Sequence, residues 1–313
     1  MAWIVPTAAA ACLFVLPLFV APYWQDLTAK IAIYAVFALS LELLVGMTGL
    51  VSLGHAAFLG LGAYATVLAS GDAAGSMAKL LPVALAVPAA YALVVGALSL
   101  RTRGVYFIMV TLAFAQMAYF LVHDTKLAGG SDGIFLYAKP TWGALNLDDH
   151  ATLYDVIIGT LVLTYAGLAM VRSSRFGHAL AGIRVNEVRM RAAGFPTFAY
   201  KLAAFVMAGA MAGMAGFLLA IKDGAVNPEL LGWHESGAVL LMLILGGIGS
   251  LRGAVIGAVA FTLLKEFFQL ESVWGTWAAH WQLTLGLTII AFVALLPQGL
   301  IGLWARFRGH RDE

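Results

Sequence analysis

Charge is the first thing this sequence lacks: only 11% of its 313 residues are Asp, Glu, Lys or Arg, where a soluble domain carries roughly 25%. Helices in water need a charged outer face, and a chain that is 62% hydrophobic cannot furnish one. An ordinary cytosolic enzyme is excluded, and lipid is the solvent left. Cysteine is nearly absent too. The one cysteine, Cys12, lies inside an apolar run, which excludes an internal disulfide framework and any cysteine-based metal or redox centre. Neither sign of charge dominates: the net charge is +2, with no basic stripe interleaved with aromatics, so there is no footprint for nucleic acid.

Catalytic patterns are missing as well. The histidines at 55, 123, 150, 178, 234, 280 and 310 are scattered. His234-Glu235 is not followed by the second histidine that a zinc helix requires, so no metal is expected. Gly60-Leu-Gly62-Ala-Tyr-Ala65 imitates a dinucleotide fingerprint, but it sits inside an apolar run with no βαβ unit around it. No Gly-Lys-Ser/Thr phosphate loop occurs. The chain is expected to bind no cofactor, and any use of ATP must belong to another subunit.

What is present is a succession of long apolar runs. A hydrocarbon core about 30 Å thick needs about 20 apolar residues per helix, and no lipid-exposed loop can cross it. Runs near 3–24, 29–47, 50–69, 78–100, 104–122, 153–171, 202–221, 236–249, 252–268 and 281–300 predict an all-α, polytopic membrane bundle of about ten segments, forming one domain over 1–313. The first run carries Pro6, Pro17 and Pro22 and lacks a basic start, which argues for a span rather than a cleaved signal.

Orientation follows from arginine and lysine, which stay on the cytoplasmic side. The loop 172–201 holds Arg172, Arg175, Arg184, Arg189, Arg191 and Lys201 against Glu187 alone, while 123–152 sets Lys126 and Lys139 against four aspartates. The first is expected inside and the second outside. Alternate counting then places both termini inside, with Arg101, Arg103, Arg252, Arg306, Arg308 and Arg311. Lys30, Lys79 and Lys222 fall outside, near span ends from which a long side chain reaches the interface.

Two joints share a pattern. Gly49-Leu-Val-Ser52-Leu53-Gly54-His55-Ala56 and Gly247-Ile-Gly249-Ser250-Leu251-Arg252-Gly253-Ala254 both read G-x-x-S-L-x-x-A. Glycine-interrupted short segments in corresponding positions suit a transporter built from repeats, and two tight turns between full helices is the plainer alternative. Glycines at 249, 253 and 257, and at 209 and 213 with Ala212 and Gly216 beside them, predict close helix packing. Polar residues at membrane depth are functional candidates by default: here Glu42, Ser52, His55, Gln116, and Lys265 with Glu266. A structural role for Glu42 and a packing role for His55 compete with that reading, and the adjacent Lys265 and Glu266 must point different ways.

The loop segment Phe176 to Pro196 predicts a short amphipathic helix. Ala179, Ile183 and Met190 share its apolar side, Arg184, Asn186, Glu187 and Arg191 stay wet, and Gly194-Phe195-Pro196 stops it. Such a helix needs a groove on a soluble partner.

Ser174 to Gly194 resembles S-x-F-G-x-A-x-x-A-I-R-x-N-E-x-x-A-x-x-x-G, the cytoplasmic loop by which permease subunits of branched-chain amino acid ABC importers dock their ATPase. Gly49 to Tyr64 is similar to that family's G-x-x-S-L-G-H-A-A-F-x-G-x-G-A-Y, and Gly104 to Gln116 to its G-x-Y-F-x-M-x-T-L-A-F-A-Q. Gly129 to Gly133 and Leu245 to Leu251 resemble its T-G-G-S-D-G and L-G-G-x-G-S-L segments, with Ala128 in place of the threonine, Gly182 in place of alanine, and Val185 where an acid is common. The chain looks like the M-type permease. The resemblance implies a multi-pass subunit of the bacterial inner membrane that does no chemistry itself. Its partners would be an H-type permease, two cytoplasmic ATPases, a periplasmic or lipid-anchored solute-binding protein, and membrane lipid. A substrate path is expected to touch the polar residues at depth, Glu42, Ser52, His55 and Gln116, together with Ser131 and Asp132 of the resembling loop segment, and the resemblance implies ATPase coupling through Arg184, Asn186, Glu187 and Gly194. The same family includes permeases for urea, short amides and other small solutes. An intramembrane enzyme and an ATP-independent carrier are the alternatives from other classes.

Overall fold

The computed structural model describes residues 14, 21–71, 75–125, 128–142, 145–296 and 298–302. Cys12, most of the run 3–24, and Arg306, Arg308 and Arg311 lie outside the described residues. The fold is all-α: α1 (Pro22–Thr48), α2 (His55–Ser70), α3 (Met77–Ser99), α4 (Val105–Asp124), α5 (His150–Ser173), α6 (Arg175–Val185), α7 (Glu187–Ala192), α8 (Thr197–Asp223), α9 (Trp233–Gly246), α10 (Leu251–Gln269), α11 (Glu271–Trp274) and α12 (Trp281–Leu295). Among the described residues six stretches are long and apolar enough to cross a membrane, up to seven if the bent pair α9–α10 counts as one span. The sequence led us to count more. The run 50–69 is not helical from its start: residues 50–54 form a joint, and α2 is a shorter apolar helix of 16 residues, about 24 Å long. The runs 236–249 and 252–268 are two helices meeting at 115° across a four-residue break.

Burial sorts the helices into inner and outer. In α1, 89% of the most apolar stretch is buried, and in α8 72%, against 33% in α3 and 28% in both α4 and α5. Small residues let α8 close on α2 and α3. A Cβ on Gly216 would overlap the Leu59 carbonyl of α2, one on Gly62 would stand 2.5 Å from the Cα of Gly213, and one on Gly209 would lie 2.6 Å from the Ala92 side chain of α3. Pro88 inside α3 cannot donate to the Ala84 carbonyl, and that freed carbonyl faces Gly213, where a Cβ would stand 2.5 Å away. Around these contacts Phe58 and Phe205 meet edge to face at 5.5 Å and Phe205 and Phe107 at 6.2 Å. In α9 and α10 the same device recurs: Gly257 backs onto the Met242 carbonyl and Gly253 onto that of Gly247. Gly249 is not part of that helix packing; it lies in the joint itself, at φ 93°.

The connections gather at two ends. At one, Ile134–Phe135 pairs antiparallel with Ala225–Val226, Ser76 bridges Thr141, and Lys222 Nζ reaches Asp26 at 2.9 Å and Asp223 at 3.2 Å. Lys222 is therefore ion-paired rather than a lone side chain reaching outward. Tyr23 donates to Glu266 at 2.7 Å, while Lys265 turns the other way to lie 5.1 Å over the Trp281 ring. At the opposite end stand α6, α7 and both glycine joints, with Arg184 beside both.

Candidate functional site: the coupling loop and the glycine joints

Ser174 begins α6 by accepting the Gly177 N–H at 3.2 Å, a serine N-cap. Ala179, Leu180 and Ile183 are buried against the bundle. The predicted single amphipathic helix is in fact two, because Asn186 leaves helical geometry (φ −157°, ψ 97°) and its Oδ1 accepts the Arg189 N–H at 2.9 Å, starting α7. Met190 belongs to this second helix and folds back against Gly182, 2.9 Å from its Cβ position. Gly194, at φ 86°, ends it: its N–H reaches the Arg191 carbonyl at 3.0 Å and the Phe195 N–H that of Met190 at 3.1 Å, a left-handed cap. The corner between the two helices is apolar and open, with Val185 83% and Val188 68% exposed.

Arg184 and Glu187 do not support each other. Glu187 accepts from Lys201 and Arg191, both at 2.9 Å, and from Thr197 at 3.2 Å, which ties α7 to the start of α8. Burial works against the Glu187 charge, but hydrogen bonds and charge from Lys201, then Arg191 and Thr197, prevail and hold its carboxyl below the ordinary value. Arg184 instead turns toward the bundle and donates through Nη1 to the Gly46 carbonyl of α1.

The first joint runs from Gly49, the left-handed C-cap of α1 at φ 75°, to Gly54. Ser52 is buried and accepts the Gly54 N–H at 3.2 Å. His55, fully buried, opens α2 with Nε2 2.8 Å from Ser40 Oγ and its ring stacked on Phe37 at 5.4 Å. The α2 N-terminus is already served: the Ala56 N–H donates to Ser236 of α9 at 2.9 Å. In the second joint Ser250 is a true N-cap, accepting the Gly253 N–H at 3.3 Å. The two like motifs thus build different turns, six residues long in one case and four in the other. Glu42 is buried in α1, with the Gly249 N–H donating to it and one carboxylate oxygen unpartnered.

The remaining path candidates do not converge on these. Gln116 stands on the outward face of α4, its amide nitrogen unpartnered, in a shallow cavity of about 680 Å³ that it lines with Met117, Phe120 and Leu121. Ser131 and Asp132 occupy a short 3₁₀ turn in the loop at the opposite end. Among the described residues no His, Cys, Asp and Glu side chains group as a metal site would need. Ser40 and Ser236 escaped the sequence reading, and Lys201 was read for its charge but not as the partner of Glu187. Gly46, one turn after Glu42, was the available signal, since a glycine there leaves room for a buried carboxylate.

Comparison with known proteins bears on the family rather than on this geometry. Residues 24–294 match a family model described as the permease component of branched-chain amino acid transport systems. The high-affinity branched-chain amino acid transport system permease protein LivM of Salmonella typhimurium is 29% identical over 300 residues, covering 88% of this chain and 69% of that protein. LivH of Escherichia coli K12, a permease protein of the same kind of system, is 24% identical over 86% of this chain and 91% of its own. The xylose transport system permease protein XylH of Escherichia coli K12 is 28% identical over only 42% of this chain and 35% of its own. No solved structure matches.

Proposed function

The chain belongs to the family of branched-chain amino acid transport permeases, and from that premise we propose that it forms, with a second permease of H type, the membrane path of an ATP-driven importer of branched-chain amino acids. The observation that carries this reading is the α6–α7 corner. Ala179, Leu180 and Ile183 fix it to the bundle while Val185 and Val188 stand open, and an apolar patch held out on a rigid loop suits a protein partner. Two cytoplasmic ATPase subunits would dock there, through the loop 172–201, and a periplasmic or lipid-anchored solute-binding protein would deliver the ligand at the opposite end. The chain itself binds no ATP in this scheme; the lack of a phosphate loop supports that.

The excess of basic residues in 172–201 supports a cytoplasmic position for that loop. With it go both termini, a multi-pass setting in the bacterial inner membrane, and about ten segments once the run 3–24, the short α2 and the two helices of the bent α9–α10 pair are each counted. The second permease would cover the outer face of α4, because an unpartnered Gln116 is costly against lipid. Gln116 then faces the path directly. Glu42, Ser52 and His55 shape the first joint apart from it, and Ser131 and Asp132 belong to the entry end. No observation favours a sugar, since the xylose permease likeness covers less than half the chain.

Copurification tests the reading. A tagged chain expressed with its chromosomal neighbours should bring down a second permease and ATPase subunits, and the solute-binding protein encoded beside it should bind leucine, isoleucine or valine. Uptake by this chain alone, without ATP, would contradict it.

A further inference from the structure

Arg184 sits in the last turn of α6, on the loop read as the ATPase dock, yet its guanidinium turns away from the open valine corner. Nη1 donates to the carbonyl of Gly46, in the last turn of α1. The Arg184 Cγ lies 3.3 Å from the position a Cβ would take on Gly49, and Nη1 lies 3.6 Å from that position on Gly249. One side chain thus lies beside both G-x-x-S-L joints. Gly49 makes room for it, since any side chain there would press on the arginine stem, and Gly49 and Gly249 hold φ of 75° and 93°, which disfavour other residues.

Glu42 closes the arrangement from the other side. Its carboxylate fills the space a side chain on Gly46 would need, accepts the Gly249 N–H, and lies in the field of Arg184 and Arg172. The last carbonyls of a helix attract a cation, so a cap alone would account for Arg184 on Gly46. It would not account for the second joint being held by the same pair. The two joints end different helices, α1 and α9, and join them to α2 and α10. A loop movement that displaced α6 would have to carry both joints or break contacts with both, which is how small shifts at a docking site become rearrangements of packed helices.

We propose that Arg184 is the positioning residue through which the loop 172–201 sets the two glycine joints together, transmitting a displacement imposed by the ATPase to the α1–α2 and α9–α10 breaks at once. The proposal rests on the reading of that loop as the ATPase dock. Glu42 is the fixed counterpart on α1, and Gly46, Gly49 and Gly249 are the sockets.

The test uses the whole complex with Cys12→Ser and a single reporter, Leu50→Cys or Ile248→Cys, one in each joint. Alkylation by a small maleimide is followed without nucleotide and after trapping with ATP and vanadate. Both reporters should change rate several-fold on trapping. With Arg184→Met both should lose that response while the ATPase still copurifies and hydrolyses ATP, and Arg184→Lys should restore part of it. A response that persists at either joint in Arg184→Met, a joint that never responds, or loss of the ATPase from the Arg184→Met complex would each overturn the proposal. Should the Arg184→Met chain itself fail to fold and reach the membrane, Glu42→Gln carries the same reading: a weakened response at both joints supports it and an unchanged one overturns it. No solute is used, so a different substrate leaves the result untouched, whereas absence of any ATPase beside the unaltered chain sinks the proposed function instead.

Discussion

His55 Nε2 lies 2.8 Å from Ser40 Oγ, and the one proton of that hydroxyl is already given to the Phe37 carbonyl at 2.7 Å. Nε2 must therefore be the donor, which leaves Nδ1, the nitrogen without a partner, as the bare one. The ring is stacked on Phe37 and edge-on to Phe58 at 5.5 Å, so the start of α2 is locked to α1 by packing and one hydrogen bond. His55→Ala should lower the thermal stability of the detergent-solubilised chain by about 2–4 kcal/mol, as other large-to-small core changes do. Ser40→Ala should cost about 1–3 kcal/mol by stranding Nε2, and the double variant should cost less than the sum. Additive losses would mean that the two residues do not interact.

Glycine substitutions should divide by location. Gly216→Ala drives a methyl into the Leu59 carbonyl and should cost about 1–3 kcal/mol through overpacking. On Gly159, in α5, a Cβ would meet nothing within 4 Å, so Gly159→Ala should be neutral or gain up to about 1 kcal/mol from helix propensity. Melting curves of the two variants read the contrast, and equal effects would contradict the inner and outer assignment of α8 and α5.

The tie between α7 and α8 should weaken in acid. Glu187 is held below its ordinary value of 4.5 by Lys201, Arg191 and Thr197 against the cost of burial, so its contribution is complete above about 4.5 and is lost as pH falls through the lower folded value. Protease cleavage within 186–201 should rise below that pH in the wild type, whereas Glu187→Gln should be cleaved readily at pH 7 with little further change in acid. Identical pH profiles would remove Glu187 from the tie.

How much of this was legible in the sequence differs from element to element. The joint at Gly247–Ser250 was visible, because a short apolar run, a repeated glycine pattern and a serine cap all coincide there. The left-handed role of Gly194 was visible too. Which helices lie inside was not: the apolar residues of α1 do not gather on one side, and such a helix gives no periodic signal to say which side is covered. The break at Asn186 was written as an N-cap, yet it was hidden by an apolar pattern that runs on through Met190 into the next helix. The direction of Arg184 could not be read at all, since its partners Gly46 and Gly249 are brought near only by the meeting of α1 with the α9–α10 joint.

Topology gives a further prediction. In a Cys12→Ser background, Val188→Cys should resist an impermeant thiol reagent added outside and react once the membrane is opened, while Asp148→Cys should react from outside. The reverse pattern would invert the orientation and put the ATPase on the wrong side.

The account stands most directly on ATP-driven uptake through the α6–α7 corner. Proteoliposomes holding the chain, its second permease and its ATPases should import radiolabelled leucine when ATP is enclosed on the ATPase side and the solute-binding protein is on the other. Val188→Asp, which puts a charge on the open apolar corner, should release the ATPase and abolish that uptake while the two permeases stay together. Leucine uptake that needs no ATP, or that continues at the wild-type rate with Val188→Asp and the ATPase still attached, would contradict it.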